Sequence, residues 1–439
     1  MSGPLDDALY DVARPVGSYW AAALPPSAPR ASLAGDVRAE VAVVGAGYTG
    51  LSAALALAEA GVDVAVVDAG AVGWGASGRS GGICGPGGAK LPGRAMARRH
   101  GAAGVAAWPR AQGEAIAWVR AFHEREGLAT QGDGEMVLAH SPRAARGLAR
   151  LAEADPDHCT PVAPSGRDDA ARFGGVIERP AFGIQPLAYV RALAAAAERA
   201  GARVFERSRV VEWTTGNGGH RLATATGALD ARRVLVATNG FTPVGLAAPL
   251  DGLAVPVISN IAVTRPLTAG ERARHPWFGE TPTVDTRHML SYYRLLPGGR
   301  LLYGARGDLT GSEAGGRRML EHLKARIRAD LPGFAEAAVD YFWRGPIAAT
   351  TRLTPTVAWL DEDARVAVAL GWHGSGIAMG SLGGRLAAAL LAGETAAIPE
   401  PMRGLPRRFR PAGLAPAAVG LAIALMRVAD RMPLPSRKG

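Results

Sequence analysis

Cysteine is almost absent from this chain of 439 residues and occurs only at Cys84 and Cys159. Two thiols so far apart in sequence do not make a disulfide framework, and there is no CxxC pair to bind a metal. We therefore expect no metal site. The first residues carry Asp6, Asp7 and Asp11 without an apolar segment, unlike a secretory signal peptide. These absences predict a cytoplasmic protein.

Lysine is also scarce, at positions 90, 324 and 438 only, although the formal net charge is +10. The remaining basic residues are arginines, and they are scattered rather than gathered into a block of like charge. A basic protein can bind nucleic acid or an anionic membrane. Because no compact basic patch or RNA-binding module is visible, we expect no nucleic-acid partner.

The segment "EVAVVGAGYTGLSAALALAEAGVDVAVVDAG", residues 40–70, predicts a β-α-β unit. Val41–Val44 form a short apolar run, which is typical of a buried parallel strand. Apolar residues then recur at helical spacing until Gly61, and Val62–Val67 form a second strand. With 48% hydrophobic residues, a chain of this length can bury two domains.

Three glycines in this unit have the G-x-G-x-x-G spacing of a dinucleotide-binding fingerprint. Gly45 permits the tight turn, Gly47 lets a pyrophosphate approach the backbone, and Gly50 lets the helix pack on the strand. The helix N-terminus, which includes Thr49, offers N–H groups to the phosphates. Asp68 follows about 20 residues later, as expected for a ribose-binding acid. NAD and FAD share this motif, and a glycine-rich turn without ligand is the alternative.

Several blocks in one order carry a more specific signal: "GSYWAAA" (17–23), "VGWGASGRSGG" (72–82), "FGIQPLAYVRALAAAAERAGARVFERSRVVEW" (182–213), "RRVLVATNGF" (232–241), "YYRLLPGGRLLYGAR" (292–306) and "GWHGSGIAMGSLGGRLAAALLAG" (371–393). Together they resemble the FAD-dependent amine and amino-acid oxidoreductases of the D-amino-acid oxidase superfamily. The γ-glutamylputrescine oxidoreductase-like subgroup is the most similar.

The resemblance implies an α/β fold, in which a Rossmann-type FAD-binding domain of the glutathione-reductase-like, D-amino-acid oxidase type is joined to an α+β substrate domain with an antiparallel sheet. It divides the chain into an N-terminal segment (1–39), an FAD-binding domain (40–100, 170–250 and 345–400), a substrate-binding domain (101–169 and 251–344) and a helical tail (401–439).

The resemblance also implies that the bare loop after Asp68 passes over the flavin. Residues without bulk would let backbone N–H groups reach the pyrophosphate and the ring edge. The expected contacts are Gly75, Ala76, Ser77, Arg79, Ser80, Gly81 and Gly82. For Arg79 the alternative is a surface arginine on a flexible loop. Cys84 beside it is expected to be a small core residue.

Later cofactor contacts are expected at three places. The Val210 backbone would face the adenine, and Thr238 and Asn239 follow a buried strand at the edge of the sheet where ligands bind. A solvated turn is the alternative for that pair. The last glycine turn opens a long helix, whose N-terminus would point at the flavin ring. The contacts expected there are Gly376, Ile377 and Met379.

We predict non-covalent FAD. Some relatives tether the flavin through a cysteine in the carboxyl half or a histidine near the first loop. The segment "YFWRGPIAATT" (341–351) has no cysteine, and Arg79 stands at the position that matches the histidine.

The segment from Leu250 to Trp343 has strand-like runs and is expected to cover the flavin face. Tyr292 and Arg294 have the same alternation parity, so on a strand they share one face. Arg294 would pair with a substrate carboxylate and Tyr292 would hydrogen-bond it. The alternative is an exposed strand with a structural arginine. His373, beside the flavin turn, is a candidate for proton transfer or a structural histidine.

Two departures from the superfamily affect the expected substrate. Ile347 stands where amino-acid oxidases keep an arginine for the α-carboxylate, and Arg352 replaces a downstream acid. An amine or an N-substituted amino acid is therefore expected, oxidised by hydride transfer to the flavin to give an imine that hydrolyses. The electron acceptor is oxygen or a quinone. Relatives that use oxygen often rely on a lysine near the flavin, and lysine is scarce here.

Three rival interpretations remain. A membrane-associated dehydrogenase that reduces quinone would use "PAGLAPAAVGLAIALM" (411–426), which is shorter than the roughly 20 residues of a spanning helix but suits peripheral membrane contact. A helix docked on the FAD domain is the alternative for this stretch. A flavin domain for tRNA modification would use the positive charge. An NAD-dependent dehydrogenase would share the fingerprint.

Overall fold

The computed structural model describes residues 5, 7–91, 93–216, 218–308, 310–361, 363, 365–409, 420, 425, 426, 428 and 430. Its helices are α1 (Tyr19–Ala22), α2 (Tyr48–Glu59), α3 (Gly93–Arg125), α4 (Pro142–Ala154), α5 (Pro186–Arg199), α6 (Ala269–Ala273), α7 (Glu313–Asp330) and α8 (Ala378–Leu391). The apolar stretch of the tail, residues 411–426, lies almost entirely outside the described residues.

The strands of the first half of the chain are β1 (Gly35–Val44), β2 (Val64–Val67), β3 (Ile83–Cys84), β4 (Thr130–Gln131), β5 (Glu135–Leu138), β6 (Cys159–Val162), β7 (Gly175–Glu178), β8 (Phe182–Ile184), β9 (Arg203–Phe205) and β10 (Glu212–Gly216). Those of the second half are β11 (Gly219–Ala223), β12 (Gly227–Val236), β13 (Val255–Pro266), β14 (Thr283–Asp285), β15 (Ser291–Leu296), β16 (Arg300–Asp308), β17 (Val339–Ala349), β18 (Thr356–Trp359) and β19 (Val366–Leu370).

The chain forms two compact units. The first comprises Met1–Thr130, Ile184–Pro256 and Gly345–Ala412, and the second comprises Gln131–Gly183, Val257–Arg344 and Gly413–Gly439.

The division between residues 344 and 345 coincides with the predicted one, and the other boundaries differ from those predicted. Residues 101–130 belong to the first unit, although the helical span α3 is kinked at Gly101, where φ is 66° and ψ is −179°. Residues 170–183 belong to the second unit, since β7 pairs antiparallel with both β5 and β6.

The first unit contains a sheet in the order β10-β11-β12-β1-β2-β9, and β19 pairs with β12 and β18. The strands β9, β2, β1, β12 and β19 are mutually parallel. Parallel strands present their carboxyl ends at one edge of a sheet, where ligands bind in open α/β folds. The residues that follow β1, β2, β12 and β19 therefore lie along a common edge.

A buried layer of aliphatic side chains fixes this sheet. Its members include Val44, Val67, Leu229, Val236 and Val368, each less than a tenth exposed. The helix α2 is buried over most of its surface, as expected for a helix enclosed by other elements. The predicted β-α-β unit is confirmed within two residues at its helix and at its second strand, and β1 begins earlier than predicted.

The second unit contains an eight-stranded sheet in the order β17-β13-β16-β15-β14-β5-β7-β6. The described pairings are antiparallel except for β14 with β5. On one face Tyr293 stacks on Tyr303 with ring centroids 5.2 Å apart, and the buried Leu323 and Ile327 of α7 belong to the same core. The predicted α/β fold with an antiparallel-sheet second domain is confirmed.

Among the described residues, no helix combines the length and the apolar character needed to cross a membrane. The same part of the chain contains no cluster of three or more His, Cys, Asp and Glu side chains placed to bind a metal ion.

Candidate functional site

The fingerprint turn after β1 is closed by backbone contacts that exclude side chains. Gly45 has a φ of +110° and its N–H donates to the Val67 carbonyl at 2.9 Å. A Cβ on Gly45 would lie 3.0 Å from the Ala237 carbonyl oxygen, and one on Gly50 would lie 1.9 Å from the Gly45 oxygen. Glycine is therefore required at both positions by the packing of strand, turn and helix.

The first turn of α2 is joined to the glycine-rich loop by Tyr48. Its N–H donates to Ser77 Oγ at 3.0 Å and its hydroxyl donates to the Ser77 carbonyl at 2.6 Å. A Cβ on Gly47 would come within 3.0 Å of Ser77 Oγ. Within the described part of the chain, no group accepts from the N–H groups of Thr49 and Gly50. These donors can bind phosphate at the positive end of the helix dipole.

Asp68 bonds to the fingerprint turn and to the start of the glycine-rich loop. Its Oδ2 accepts from the Ala46 N–H at 2.7 Å and its Oδ1 accepts from the Gly70 N–H at 2.8 Å. Burial raises the pKa of Asp68, and these two donors oppose that shift. Asp68 thus shapes the fingerprint turn, a function that the sequence motif did not predict. Its contact with a ribose stays a prediction.

Side chains from distant segments hold the glycine-rich loop. The Val72 N–H donates to the buried Glu206 at 2.9 Å, and Trp20 Nε1 donates to the Ser80 carbonyl at 2.8 Å. The loop residues that remain partly exposed include Gly75, Ala76, Ser77, Ser80 and Gly81. Gly82 is buried with a φ of +73°. Apart from Gly82, these loop residues are only partly covered by the rest of the chain, and their predicted contacts with the cofactor stay predictions.

Arg79 is 7% exposed, so the alternative of a surface arginine on a flexible loop is wrong. Its guanidinium lies 4.2 Å from the centroid of the Trp74 ring, and its Nε donates to the Trp74 carbonyl at 2.8 Å. A Cβ on Gly345 would come within 3.2 Å of the Arg79 side chain. Arg79 therefore fixes the loop backbone through a cation–π contact and a hydrogen bond. Cys84 is fully buried, as predicted.

The turn after β12 is held by polar side chains. Asn239 has a φ of +48°, and its Oδ1 accepts from the Gly371 N–H at 2.9 Å, which links the ends of β12 and β19. The Thr238 hydroxyl bonds to that of Thr242 at 2.7 Å. The turn is thus ordered by its own side chains while its residues stay partly exposed, and the cofactor contacts of Thr238 and Asn239 stay predictions. Val210 has its side chain in the core, and its predicted backbone contact with adenine stays a prediction.

His373 is 4% exposed and both of its ring nitrogens bond to backbone groups. Nε2 accepts from the Thr350 N–H at 3.1 Å, and Nδ1 bonds to the Gly88 carbonyl at 2.9 Å. An imidazole that accepts at Nε2 carries its proton at Nδ1, which donates to Gly88. Neither nitrogen is left to take a proton from a substrate, so the structural alternative accounts for His373 better than the catalytic one.

At the start of α8, two of the three predicted contact residues have buried side chains, and the predicted flavin contacts stay predictions. Ile377 is 3% exposed, Met379 is fully buried, and the Met379 N–H donates to the Ser375 carbonyl at 3.0 Å. The Met379 side chain packs at Gly88, where a Cβ would lie 3.0 Å from its Cγ. Ile377 and Met379 therefore support the turn from inside, and only Gly376 of the three predicted residues is partly exposed.

A buried tyrosine network joins α2, α5 and α8. The Tyr189 hydroxyl and Ser381 Oγ are 2.8 Å apart, and Ser381 donates to the Ile377 carbonyl at 2.7 Å. The Tyr48 and Tyr189 rings lie 5.0 Å apart. Burial raises the pKa of Tyr189 well above its usual value, so the phenol stays protonated. Sequence reasoning missed both Tyr189 and Ser381, because no motif marks a hydroxyl whose partner is on another helix.

In the second unit, Tyr292 crosses the neighbouring strand. It pairs with Gly304, where a Cβ would lie 2.2 Å from the phenol ring. The absence of a side chain lets the hydroxyl reach Ser259 Oγ at 2.8 Å. Burial raises the pKa of Tyr292 to about 12, with Arg306 opposing the shift. Ser259 and Arg306 are additional polar residues beside Tyr292 that the sequence did not reveal.

Arg294 shares the face of Tyr292, as predicted from alternation, but it is fully buried. Its Nη1 donates to Gln131 Oε1 at 3.2 Å, and a Cβ on Gly183 would come within 2.0 Å of the same nitrogen. Burial lowers the pKa of Arg294 to about 9. This geometry is that of a structural arginine, the alternative to a substrate-binding one.

The edge of the first sheet fits a flavin dinucleotide. It has two glycines whose Cβ atoms would clash with backbone, helix N–H donors without a described partner and a carboxylate that orders the loop. Residues 40–390 match the family of FAD-dependent oxidoreductases that includes D-amino-acid oxidase. The chain belongs to this family. It is therefore an FAD-dependent oxidoreductase, which decides between FAD and NAD.

Relatives cover most of the chain. It is 28% identical to a probable oxidoreductase, OrdL, from Haemophilus influenzae, over 81% of this chain and 83% of the relative. It is 29% identical to γ-glutamylputrescine oxidoreductase from Escherichia coli, over 86% and 89%. The crystal structure of glycine oxidase from Geobacillus kaustophilus has the same fold, with a TM-score of 0.66 and 23% identity over 82% of this chain and 96% of the other.

Proposed function

We propose that this protein oxidises the C–N bond of an amine or an N-substituted amino acid. When bound, FAD would supply a hydride acceptor for the carbon next to a neutral amine nitrogen, and the imine product would hydrolyse in water. The proposal is carried by one combination of features. The edge of the first sheet fits FAD, but the arginine that binds the α-carboxylate in amino-acid oxidases is absent from the matching position. The sequence relatives that act on amines support the same substrate class.

Two positions in the first unit bear on the absence of this carboxylate-binding arginine. Ile347 stands where superfamily amino-acid oxidases keep their arginine, beside the turn at Gly240, whose Cβ would lie 3.5 Å from the Ile347 carbonyl carbon. Arg352 does not replace it, because its guanidinium donates to the Pro401 carbonyl at 3.4 Å. A free α-amino acid would therefore lose its main charge partner, whereas an amine without that carboxylate would not.

Tyr292 is our candidate for binding the polar group of the substrate. It is partly exposed, its pKa near 12 keeps the hydroxyl protonated over the working range, and Ser259 fixes its orientation. A phenol held in this way donates or accepts one hydrogen bond without changing its charge. Arg294 supports the strand from within, and His373 positions the turn before α8, so neither moves a proton in this scheme.

The FAD is proposed to be non-covalent. Covalent attachment needs an accessible cysteine, histidine or tyrosine beside the ring. Cys84 and Cys159 are both buried, at 0% and 5% exposure, and both His373 nitrogens are used by backbone groups. No accessible nucleophile among these three residues is thus left for attachment.

The test is an anaerobic titration of the purified protein with amines and N-alkyl amino acids, followed through flavin absorbance. Bleaching by an amine and not by the corresponding free α-amino acid supports the proposal, and the reverse order would overturn it. Readmitting air, or adding a soluble quinone instead, distinguishes the two candidate acceptors.

A pair of variants tests Tyr292 on the substrate found in this way. We expect Tyr292→Phe to lower kcat/KM at least tenfold, which is the effect of losing one hydrogen bond of about 1.4 kcal/mol. The matched control is Tyr293→Phe, because that hydroxyl lies on the opposite face and has no hydrogen-bond partner among the described residues. Equal effects of the two substitutions would contradict the proposed contact.

A further inference from the structure

The second unit contains a cavity of about 690 Å³ that the proposed oxidation does not use. This volume is within the range of small-molecule sites. It lies on the side of the sheet where α7 packs, and its lining includes the basic residues Arg287, Arg318, His322 and Arg326. Arg306 also borders the cavity, but by alternation its side chain lies on the face of Tyr292. Two aspartates, Asp308 and Asp430, also line it.

Three of these basic residues lie on one face of α7. Arg318, His322 and Arg326 are spaced by four residues, which places them on the same face of the helix. The Arg318 side chain is exposed and makes no ion pair or hydrogen bond with a residue that the structure describes. Its guanidinium therefore has five N–H donors available toward the cavity.

Two other arginines are fixed in place from behind. Arg326 pairs with Asp330 at 2.5 Å, and Arg287 pairs with Asp285 at 2.5 Å. Such pairs hold the guanidinium groups in one orientation, which lowers the cost of ordering them around a ligand. The cavity wall is thus preorganised. Asp285 and Asp330 balance the charges of Arg287 and Arg326, which leaves Arg318 as the cavity-lining arginine of α7 without a paired carboxylate in the described part of the chain.

The two lining aspartates, Asp308 and Asp430, differ in their partners. Asp308 pairs with Arg344 at 2.8 Å. Asp430 presents its carboxylate to the cavity segment, where it accepts from the consecutive N–H groups of His288 and Met289 at 2.8 and 2.9 Å. Consecutive N–H groups that converge on one carboxylate make an anion-binding concavity.

We propose that this cavity binds a small phosphate-bearing molecule and that the Asp430 carboxylate occupies the oxyanion position in its absence. Arginine forks and paired backbone N–H groups match the several oxygens of a phosphate, which adds charge-assisted bonds that one carboxylate does not make. The ligand would displace Asp430 and link Arg318 to the N–H groups of His288 and Met289.

The test uses the full-length protein saturated with FAD, so that the flavin site is closed to the probe. Inorganic pyrophosphate is titrated in by calorimetry at constant ionic strength, set with sodium chloride. We expect Arg318→Ala to weaken binding at least tenfold. The matched control is Arg317→Ala, because Arg317 is exposed like Arg318 and lies beside it on the same helix but does not line the cavity. This variant should bind as the wild type does.

Asp430→Ala removes the carboxylate that is proposed to occupy the oxyanion position, so it is expected to tighten pyrophosphate binding. The proposal is overturned if pyrophosphate gives no heat with the wild type, or if Arg318→Ala binds it unchanged. If Asp430→Ala did not bind pyrophosphate more tightly than the wild type, the proposed displacement of Asp430 by the ligand would be wrong.

A second arm, flotation with phosphatidylglycerol vesicles, identifies the source of the phosphate. Retention that Arg318→Ala abolishes and pyrophosphate reverses assigns the site to a lipid headgroup. Pyrophosphate binding without retention assigns it to a soluble phosphate.

Discussion

Replacement of Gly50 by alanine tests the close approach of α2 to the fingerprint turn. The added Cβ would lie 1.9 Å from the Gly45 carbonyl oxygen, whereas such atoms need at least about 3 Å. The helix start must therefore move by about 1 Å, in a region where the surrounding side chains are buried. Overpacking of this kind costs about 3 kcal/mol. We expect a lower melting temperature even without FAD, and loss of FAD binding.

Gly47→Ala is the matched comparison at the neighbouring glycine. Its Cβ would meet only Ser77 Oγ, at 3.0 Å, and a side chain can shift by a few tenths of an ångström. The apoprotein should then melt within a few degrees of the wild type, since less than about 1 kcal/mol is at stake. FAD affinity should still fall at least tenfold, because a methyl group stands where the pyrophosphate approaches the backbone.

The assay measures melting curves of both apoproteins and FAD titrations followed by quenching of flavin fluorescence. Stability separates the two variants, and cofactor affinity falls in both. If Gly50→Ala matched the wild type in melting temperature and FAD affinity, the close helix–turn contact would be refuted. Normal FAD affinity in Gly47→Ala would refute the assignment of this turn to the pyrophosphate.

Three further outcomes are expected. Tyr189→Phe should lower the free energy of unfolding by about 1 kcal/mol, because its hydrogen bond to Ser381 is lost, and it should weaken FAD binding. Tyr293→Phe should change neither the melting temperature nor the FAD affinity. Equal effects of the two substitutions would contradict the tyrosine network. A hydrogen bond from Arg265 lowers the pKa of Glu271 to about 2, so this pair stabilises the fold above about pH 4.5 and the contribution disappears as the pH falls through about 2. Arg265→Ala should therefore flatten acid unfolding curves between pH 5 and 2, and an unchanged curve would count against the pair. Acid precipitation should release all flavin into the supernatant, and a yellow pellet would contradict non-covalent binding.

The β-α-β unit could be predicted from the sequence because its signals are local. Apolar runs, helical spacing and glycines at fixed intervals act over a few residues, and the structure places α2 directly after Gly47. The parallel pairing of β1 and β2 is what a connection through a helix allows, since parallel neighbours need a crossover. The cofactor contacts of loop residues 75–81 were implied by the resemblance instead, and they stay predictions for a loop that follows β2.

The burial of individual side chains and their hydrogen-bond partners could not be predicted from local patterns. Alternation placed Tyr292 and Arg294 on one face, but it could not show that Gly183, far away in sequence, leaves room for the Arg294 guanidinium inside the unit. The proton-transfer hypothesis for His373 failed similarly, because its partners Thr350 and Gly88 are backbone groups brought close only by the fold. Backbone partners leave no trace in side-chain patterns.

The anchors of the glycine-rich loop have a consequence for protein engineering. Trp20 comes from the N-terminal segment, Tyr48 from α2 and Glu206 from the end of β9, yet all three set the path of residues 72–80. The loop is thus not a portable module, and a graft of its sequence alone into another scaffold would not reproduce its shape. Conversely, its exposed small residues could be exchanged to tune a cofactor while the anchors preserve the path of the chain.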